Sequence, residues 1–348
     1  MKLKGIIDGV GDFVLKPDSV FLKKNQTKVV QVDLNFRSIF SFDFGEVIQE
    51  LNNNGDSIYT NTAMDGLGIV IKNGEVFKKD FFINYTDEKG KCFGNFSGGS
   101  IKKDEFGNKE WEIPDKVFIY NIASEFIFYR KEKKILVANS YLTGNRLWQY
   151  TLPEMEIYYA DVPITDIQIS KIIGVYKRIV WIVLNTGFFI GLSVEDGSQK
   201  YFIKMPFNSP DEWLGKESFA QATSSVLSQG EGKIFGYSYK TYWEIDLGNP
   251  VETYMYYDLI DTSKRNHNIE NTLVQPLCWQ DDEIFIGQQE FSQQPSYIGL
   301  FSRKKKEITW TSYDMKEEGV FKGLRKIGML DNRFYVLDAT NTLHILER

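Results

Sequence analysis

Between Arg178 and Phe202 the chain reads RIVWIVLNTGFFIGLSVEDGSQKYF, and this stretch limits the fold more than any other. An apolar run rich in β-branched and aromatic residues ends at Asn185-Thr186-Gly187, a second run follows, and Glu195-Asp196-Gly197-Ser198 separates it from a third. Such side chains suit a pleated, packed surface, and Asn-x-Gly and Asp-Gly accept the positive φ that tight hairpins require. The spacing predicts a β-meander. Helical periodicity of 3.6 residues is nearly absent, which excludes a helix bundle.

The unit recurs. Comparable turns stand at Asn73-Gly74, Gly107-Asn108, Gly144-Asn145, Gly197-Ser198, Asn249-Pro250 and Lys305-Lys306, most of them followed by an aromatic residue. Their intervals average about 46 residues, the period of a four-stranded propeller blade. Cut at these turns, the chain gives meanders over 38–80, 81–115, 116–153, 166–206, 218–258 and 273–314, and a seventh that stops at Arg348 one strand short. A radial array must close or it exposes sheet edges. The missing strand is therefore expected from the N-terminal region, KVVQVDLN (28–35) first and DFVLK (12–16) second. The sequence predicts an all-β, seven-bladed β-propeller of four-stranded antiparallel blades, a single domain over 1–348, with the ring closed by an N-terminal strand. A β-sandwich fits seven similar meanders poorly.

One motif carries a family resemblance. Ala138-Asn139-Ser140-Tyr141-Leu142-Thr143-Gly144-Asn145-Arg146-Leu147-Trp148 resembles the quinoprotein-type (PQQ-type, WD40-like) propeller repeat, in which a strand end near Ala-x-Asp is followed by a Thr-Gly turn and an outer-strand Trp. Leu192 to Tyr201 and Asp104 to Trp111 are weaker copies, and Val336-Leu337-Asp338-Ala339 keeps only the strand end. The resemblance implies a propeller used as a binding and assembly platform. It implies no cofactor here: the adjacent cysteine pair of the quinone enzymes is absent, since Cys92 and Cys278 are far apart, and neither a quinone nor a calcium site is carried onto any residue.

Aromatic residues make up 15% of the chain, enough for a large core, and the formal charge is −6. The one block of like charge, Arg303-Lys304-Lys305-Lys306, reads as a solvated hairpin turn, so no nucleic-acid partner is expected. Two isolated cysteines fit a reducing compartment. Asp8 and Asp12 interrupt any leader-like apolar core, and no run approaches the roughly 18 apolar residues of a membrane span. The expectation is a cytoplasmic chain with no membrane partner, a monomer or weak oligomer.

Catalytic signatures are missing. Of the two histidines, His344 alternates with Leu343 and Ile345 as a strand residue facing a sheet interface or the channel, and His267 lies in a polar loop. Asp281-Asp282 and Asp87-Glu88 sit where turns favour acids. Three long connections are more informative: Pro153–Thr165, Pro206–Glu217 and Asp258–Thr272 each lead from one blade to the next and so emerge on one face. They offer Tyr158, Tyr159 and Asp161, then Asp211, Glu212 and Trp213, then Arg265 and His267 as a lip for a protein partner. For Trp213 and Tyr158 the competing role is capping blade edges. The functional reading is a non-catalytic protein-binding propeller of the inhibitor or scaffold kind; the alternative is a carbohydrate-active or degenerate quinone-type enzyme with its site in the channel.

Overall fold

The computed structural model describes residues 1–54, 56–87, 90–155, 157–159, 162–203, 225–238, 241–248, 251–256, 274–280, 282–288, 295–296, 298–312, 315 and 321–348. Among them, eight four-stranded antiparallel sheets follow one another along the chain. Blade 1 comprises Val10–Lys16, Ser19–Lys24, Lys28–Asp33 and Ser38–Asp43; blade 2, Asn52–Asn54, Ser57–Asn61, Gly68–Lys72 and Glu75–Lys79. Blade 3 comprises Phe82–Thr86, Cys92–Phe96, Gly99–Lys103 and Lys109–Ile113; blade 4, Tyr120–Ala123, Phe126–Glu132, Ile135–Ser140 and Arg146–Thr151. Blade 5 is Ile169–Tyr176, Ile179–Leu184, Phe189–Ser193 and Gln199–Ile203; blade 6, Val226–Ser228, Lys233–Ser238, Thr241–Asp246 and Glu252–Tyr256. Blade 7 is Val274–Gln280, Glu283–Gln288, Ile298–Ser302 and Glu307–Thr311. Blade 8 joins Leu324–Leu330, Arg333–Asp338 and Leu343–Glu347 to the N-terminal strand Lys2–Ile7.

The propeller therefore has eight blades, not seven. Its closing strand does come from the N-terminus, but it is Lys2–Ile7, which pairs antiparallel with Leu343–Glu347 from Lys2 opposite Glu347 to Ile7 opposite Leu343. KVVQVDLN and DFVLK are instead the third and first strands of a complete blade 1. The expected meander over 38–80 was a composite: Ser38–Asp43 is the outer strand of blade 1, and blade 2 begins at Asn52. The other blade boundaries fall within a few residues of their expected places, except that the blade expected from 218 has its first strand at Val226–Ser228.

Contacts divide the chain into two compact units. The first is Met1–Phe96, Ile101–Lys109 and Leu259–Arg348; the second is Ser97–Ser100 and Glu110–Asp258. In the first, each blade shares an apolar layer with the next. Val20 and Leu22 pack with Tyr335, Leu337 and Ile345 of blade 8, while Phe21 between them packs with Ile58, Ile69 and Ile71 of blade 2. Period-2 alternation sends successive side chains to opposite faces of a strand. A middle strand buried on both faces must therefore be apolar throughout.

The second unit repeats the device. Val180, Ile182 and Leu184 join Phe128, Leu136 and Ala138 of blade 4; Trp181 and Val183 join Ile234, Trp243 and Ile245 of blade 6. Here the recurring turn and tryptophan acquire a role. Trp148, on the outer strand of blade 4, donates its indole Nε1–H to the Val194 carbonyl of blade 5 at 2.8 Å, and a β-carbon at Gly197 would lie 2.6 Å from its ring. Trp111 makes the same arrangement one blade earlier, with the Tyr141 carbonyl at 3.0 Å and the ring 2.9 Å from where a Gly144 β-carbon would be. Both glycines have left-handed φ, 75° at Gly144 and 70° at Gly197, so the residue serves the turn and the contact together.

Two outcomes follow from this packing. Replacing Trp148 by Ala is expected to cost about 3–5 kcal/mol and Trp148 by Phe, which loses the N–H bond and part of the buried ring, about 2 kcal/mol, both read by denaturant unfolding. Deleting residues 1–7 leaves Leu343–Glu347 as an open edge. The truncated chain should melt earlier and self-associate on size-exclusion chromatography.

Candidate functional site

Of the three long connections, the structure describes most of the first. Between blades 4 and 5 the chain forms a two-stranded hairpin, Ile157–Tyr159 against Val162–Ile164, with Tyr158 opposite Pro163 and Tyr159 opposite Val162. Tyr158 and Tyr159 thus share one strand of a small independent sheet. Asp161, Asp211, Glu212, Trp213, Arg265 and His267, with the rest of the second and third connections, lie outside the described residues.

The base of this hairpin is held at both ends. On the way out, the Leu152 amide donates to the Lys134 carbonyl at 2.9 Å and Leu152 is buried. On the way back, the Ile169 amide donates to the Lys133 carbonyl at 2.8 Å. Lys133 and Lys134 form the turn between the second and third strands of blade 4, and their ammonium groups pair with Asp166 at 2.9 Å and Glu154 at 3.4 Å. Both pairs are exposed and add little by themselves. From blade 5, Asn185 closes the clamp: its Nδ2 donates to the Asp166 carbonyl at 2.8 Å and its Oδ1 accepts from the Gln168 amide at 2.9 Å. Ile167, between those two backbone groups, is buried in the core shared by blades 4 and 5. The result is a short sheet on a fixed mount.

The sequence reading identified Asn185 only as a turn former, and Lys133 and Lys134 not at all. Gly187, at φ 79°, supplies the turn geometry, which leaves the Asn185 side chain for the neighbouring connection. A polar residue flanking a Gly-containing turn between two apolar strands was the signal available; its partner was not.

Other singled-out residues have structural places. His344 Nε2 is 3.0 Å from Asp338 Oδ2, and its ring packs edge-on against Phe321. Burial acts to raise the Asp338 pKa, but hydrogen bonds from His344, Thr340 and Thr342 outweigh it and hold the carboxyl below its usual value. Cys92 is buried, and burial pushes its thiol up to about 11, so it packs rather than reacts. The basic tetrad is a hairpin turn, as expected, with Lys306 at φ 58°. Arg303, however, is buried and not solvated, and Asp282 holds the turn through the Ser302 hydroxyl at 2.7 Å.

No family model matches the chain, and no curated protein matches it. Solved structures do. BamB from Moraxella catarrhalis aligns with TM-score 0.61 and 11% identity, covering 100% of this chain and 99% of that one. The C-terminal WD40 domain of Sif2 aligns with TM-score 0.66 and 8% identity over 100% and 98%. Sqt1 from Saccharomyces cerevisiae gives 0.56 and 11% over 98% and 96%. At such identities the likeness is one of fold: this chain is a β-propeller of the repeat-built kind, as its turn-and-tryptophan pattern implies. Among the described residues no helix is long and apolar enough to cross a membrane.

The clamp has a measurable consequence. Asn185→Ala removes both bonds to the returning strand and strands the Asp166 carbonyl and Gln168 amide; it should cost roughly 1–3 kcal/mol. Amide hydrogen exchange should then accelerate across 157–168 first, with the blade 5 strands still protected.

Proposed function

We propose that residues 1–348 form one protein-binding propeller, non-catalytic, acting in the cytoplasm, whose recognition surface is the set of connections led by the hairpin 157–164. The observation that carries this reading is the clamped base of that hairpin. A connection built only to span two blades needs no sheet of its own, and none held by Lys133, Lys134 and Asn185 from both neighbouring blades. Rigid scaffolds position recognition loops in this way, because a pre-ordered loop loses less entropy on binding.

Tyr158, Tyr159 and Trp213 are the aromatic anchors of this proposal, Asp161, Asp211 and Glu212 its acidic contribution, and Arg265 and His267 its remaining polar residues. With a net charge of −6 on the chain, the complementary partner is a basic protein, drawn in by its charge and held by the aromatic anchors. An inhibitor that covers the active surface of such a partner is the narrower form of the proposal.

The test is affinity capture with the full chain as bait. The double variant Tyr158→Ala/Trp213→Ala should lower recovery of the captured basic protein at least tenfold with an unchanged melting temperature, and capture should weaken as salt rises. Intact capture by the double variant, together with turnover on a panel of glycosides that the variant loses, would replace this reading with the carbohydrate-active one.

A further inference from the structure

Within the first compact unit, a pocket of about 490 Å³ is formed by residues of blades 8 and 1 and the segment leading into blade 2. Its lining contains two cations, Lys23 and Arg325, and three amides, Asn25, Gln26 and Asn341, and none of its lining residues is acidic. In a chain whose formal charge is −6 this is an unusual local balance.

The pocket is built and not incidental. Asn25 (φ 50°) and Gln26 (φ 62°) turn the chain in two successive left-handed steps, a conformation that side chains rarely adopt. The Gln26 carbonyl accepts from the Ile48 amide at 2.9 Å and the Asn341 carbonyl from the Val10 amide at 2.8 Å, so the wall segments are tied to one another. Lys23 runs across Gly11: a β-carbon there would lie 2.9 Å from its Cε. Its Nζ donates to the carbonyls of Ile48 at 3.2 Å and Gln49 at 3.3 Å, and burial lowers its pKa, an effect that Asp12 offsets in part.

Asp12 and Glu50 both act on Lys23 by charge, but Asp12 is balanced by its own ion pair with Lys326. The Asp12 oxygens accept from the Leu51 amide at 2.6 Å, the Phe13 amide at 2.8 Å and the Lys326 ammonium at 2.8 Å. Arg325, exposed on the rim, donates to the Asn341 side-chain oxygen. Two positive charges and several amides thus converge on a concave volume of the size that small ligands occupy. Charge-assisted hydrogen bonds to an oxyanion are the strongest contacts such a set makes.

We propose that this pocket binds a small oxyanion, a phosphate or carboxylate group carried on a polar body, between Lys23 and Arg325. The pocket shares no residue with the protein-recognition surface proposed above, and the proposal stands whether or not that surface is confirmed.

Calorimetric titration of the full chain with inorganic phosphate, and separately with acetate, at constant ionic strength in chloride tests it. One saturable site per chain with a dissociation constant of about 1 mM is expected for at least one probe, and the probe that saturates names the group. Arg325→Gln and Lys23→Gln should each weaken it at least tenfold, as should Gly11→Ala, which displaces the lysine. Lys200→Gln, an exposed cation lost elsewhere, should leave it unchanged. Arg325 is exposed, so its variant keeps the fold, with the melting temperature as the check. Linear, unsaturable heats with both probes, or saturation that survives Arg325→Gln, overturn the proposal.

Discussion

Everything in this structure depends on middle strands that are apolar on both faces. A blade such as 169–203 has Val180, Ile182 and Leu184 on one side of its second strand and Trp181 and Val183 on the other. It has no face to give to water, so it is stable only between two neighbours, and each neighbour is in the same position. The N-terminal strand Lys2–Ile7 answers the same demand in backbone terms, by pairing the free edge of Leu343–Glu347. Gly144 and Gly197, with Trp111 and Trp148, add a directional element to a hydrophobic effect that has none. An indole N–H reaching a carbonyl of the next blade sets the register between sheets as well as their attraction.

How much of this was legible in the sequence depended on what the turns were made of. Where a blade's last turn contains glycine, as at Asn73-Gly74, Gly144 and Gly197, the positive φ is written in the residue type. Blade 1 carries no such mark. Its last turn, Asp33 to Arg37, is closed by the Asp33 carboxylate accepting from the amides of Asn35 at 2.9 Å and Arg37 at 2.8 Å, with Phe36 in the left-handed region at φ 64°. The turn between its second and third strands uses Asn25 and Gln26 in the same conformation. Side-chain bonding replaced glycine in making the bend, and a count of marker turns, four of the six containing glycine, missed a blade.

The candidate surface shows the same boundary between the readable and the unreadable. Loop length and aromatic content are local properties, so the excursion after Pro153 stood out in the sequence. Its mount is not local. Lys133, Lys134 and Asn185 look like ordinary turn residues until the fold places them against Leu152, Asp166 and Gln168. Lys23 and Arg325 lie near opposite ends of the chain, and only closure through the N-terminal strand brings blade 8 beside blade 1 and both cations to one pocket.

Closure also explains why that pocket keeps its charge. Where the last blade meets the first, three donors need an acceptor, the Leu51 amide, the Phe13 amide and the Lys326 ammonium, and the last of them is charged. A single buried carboxylate, Asp12, serves them all. Such a group is costly to bury and is retained where several donors repay the desolvation at once. Once its oxygens are committed to the seam, Lys23 above it has backbone carbonyls for partners and Arg325 an amide oxygen. Neutral acceptors satisfy hydrogen bonds without cancelling charge. The acid that holds the closing blades together is balanced by Lys326, so Lys23 and Arg325, against the pull of Asp12 and Glu50 on Lys23, leave a net positive charge for an anion from solution.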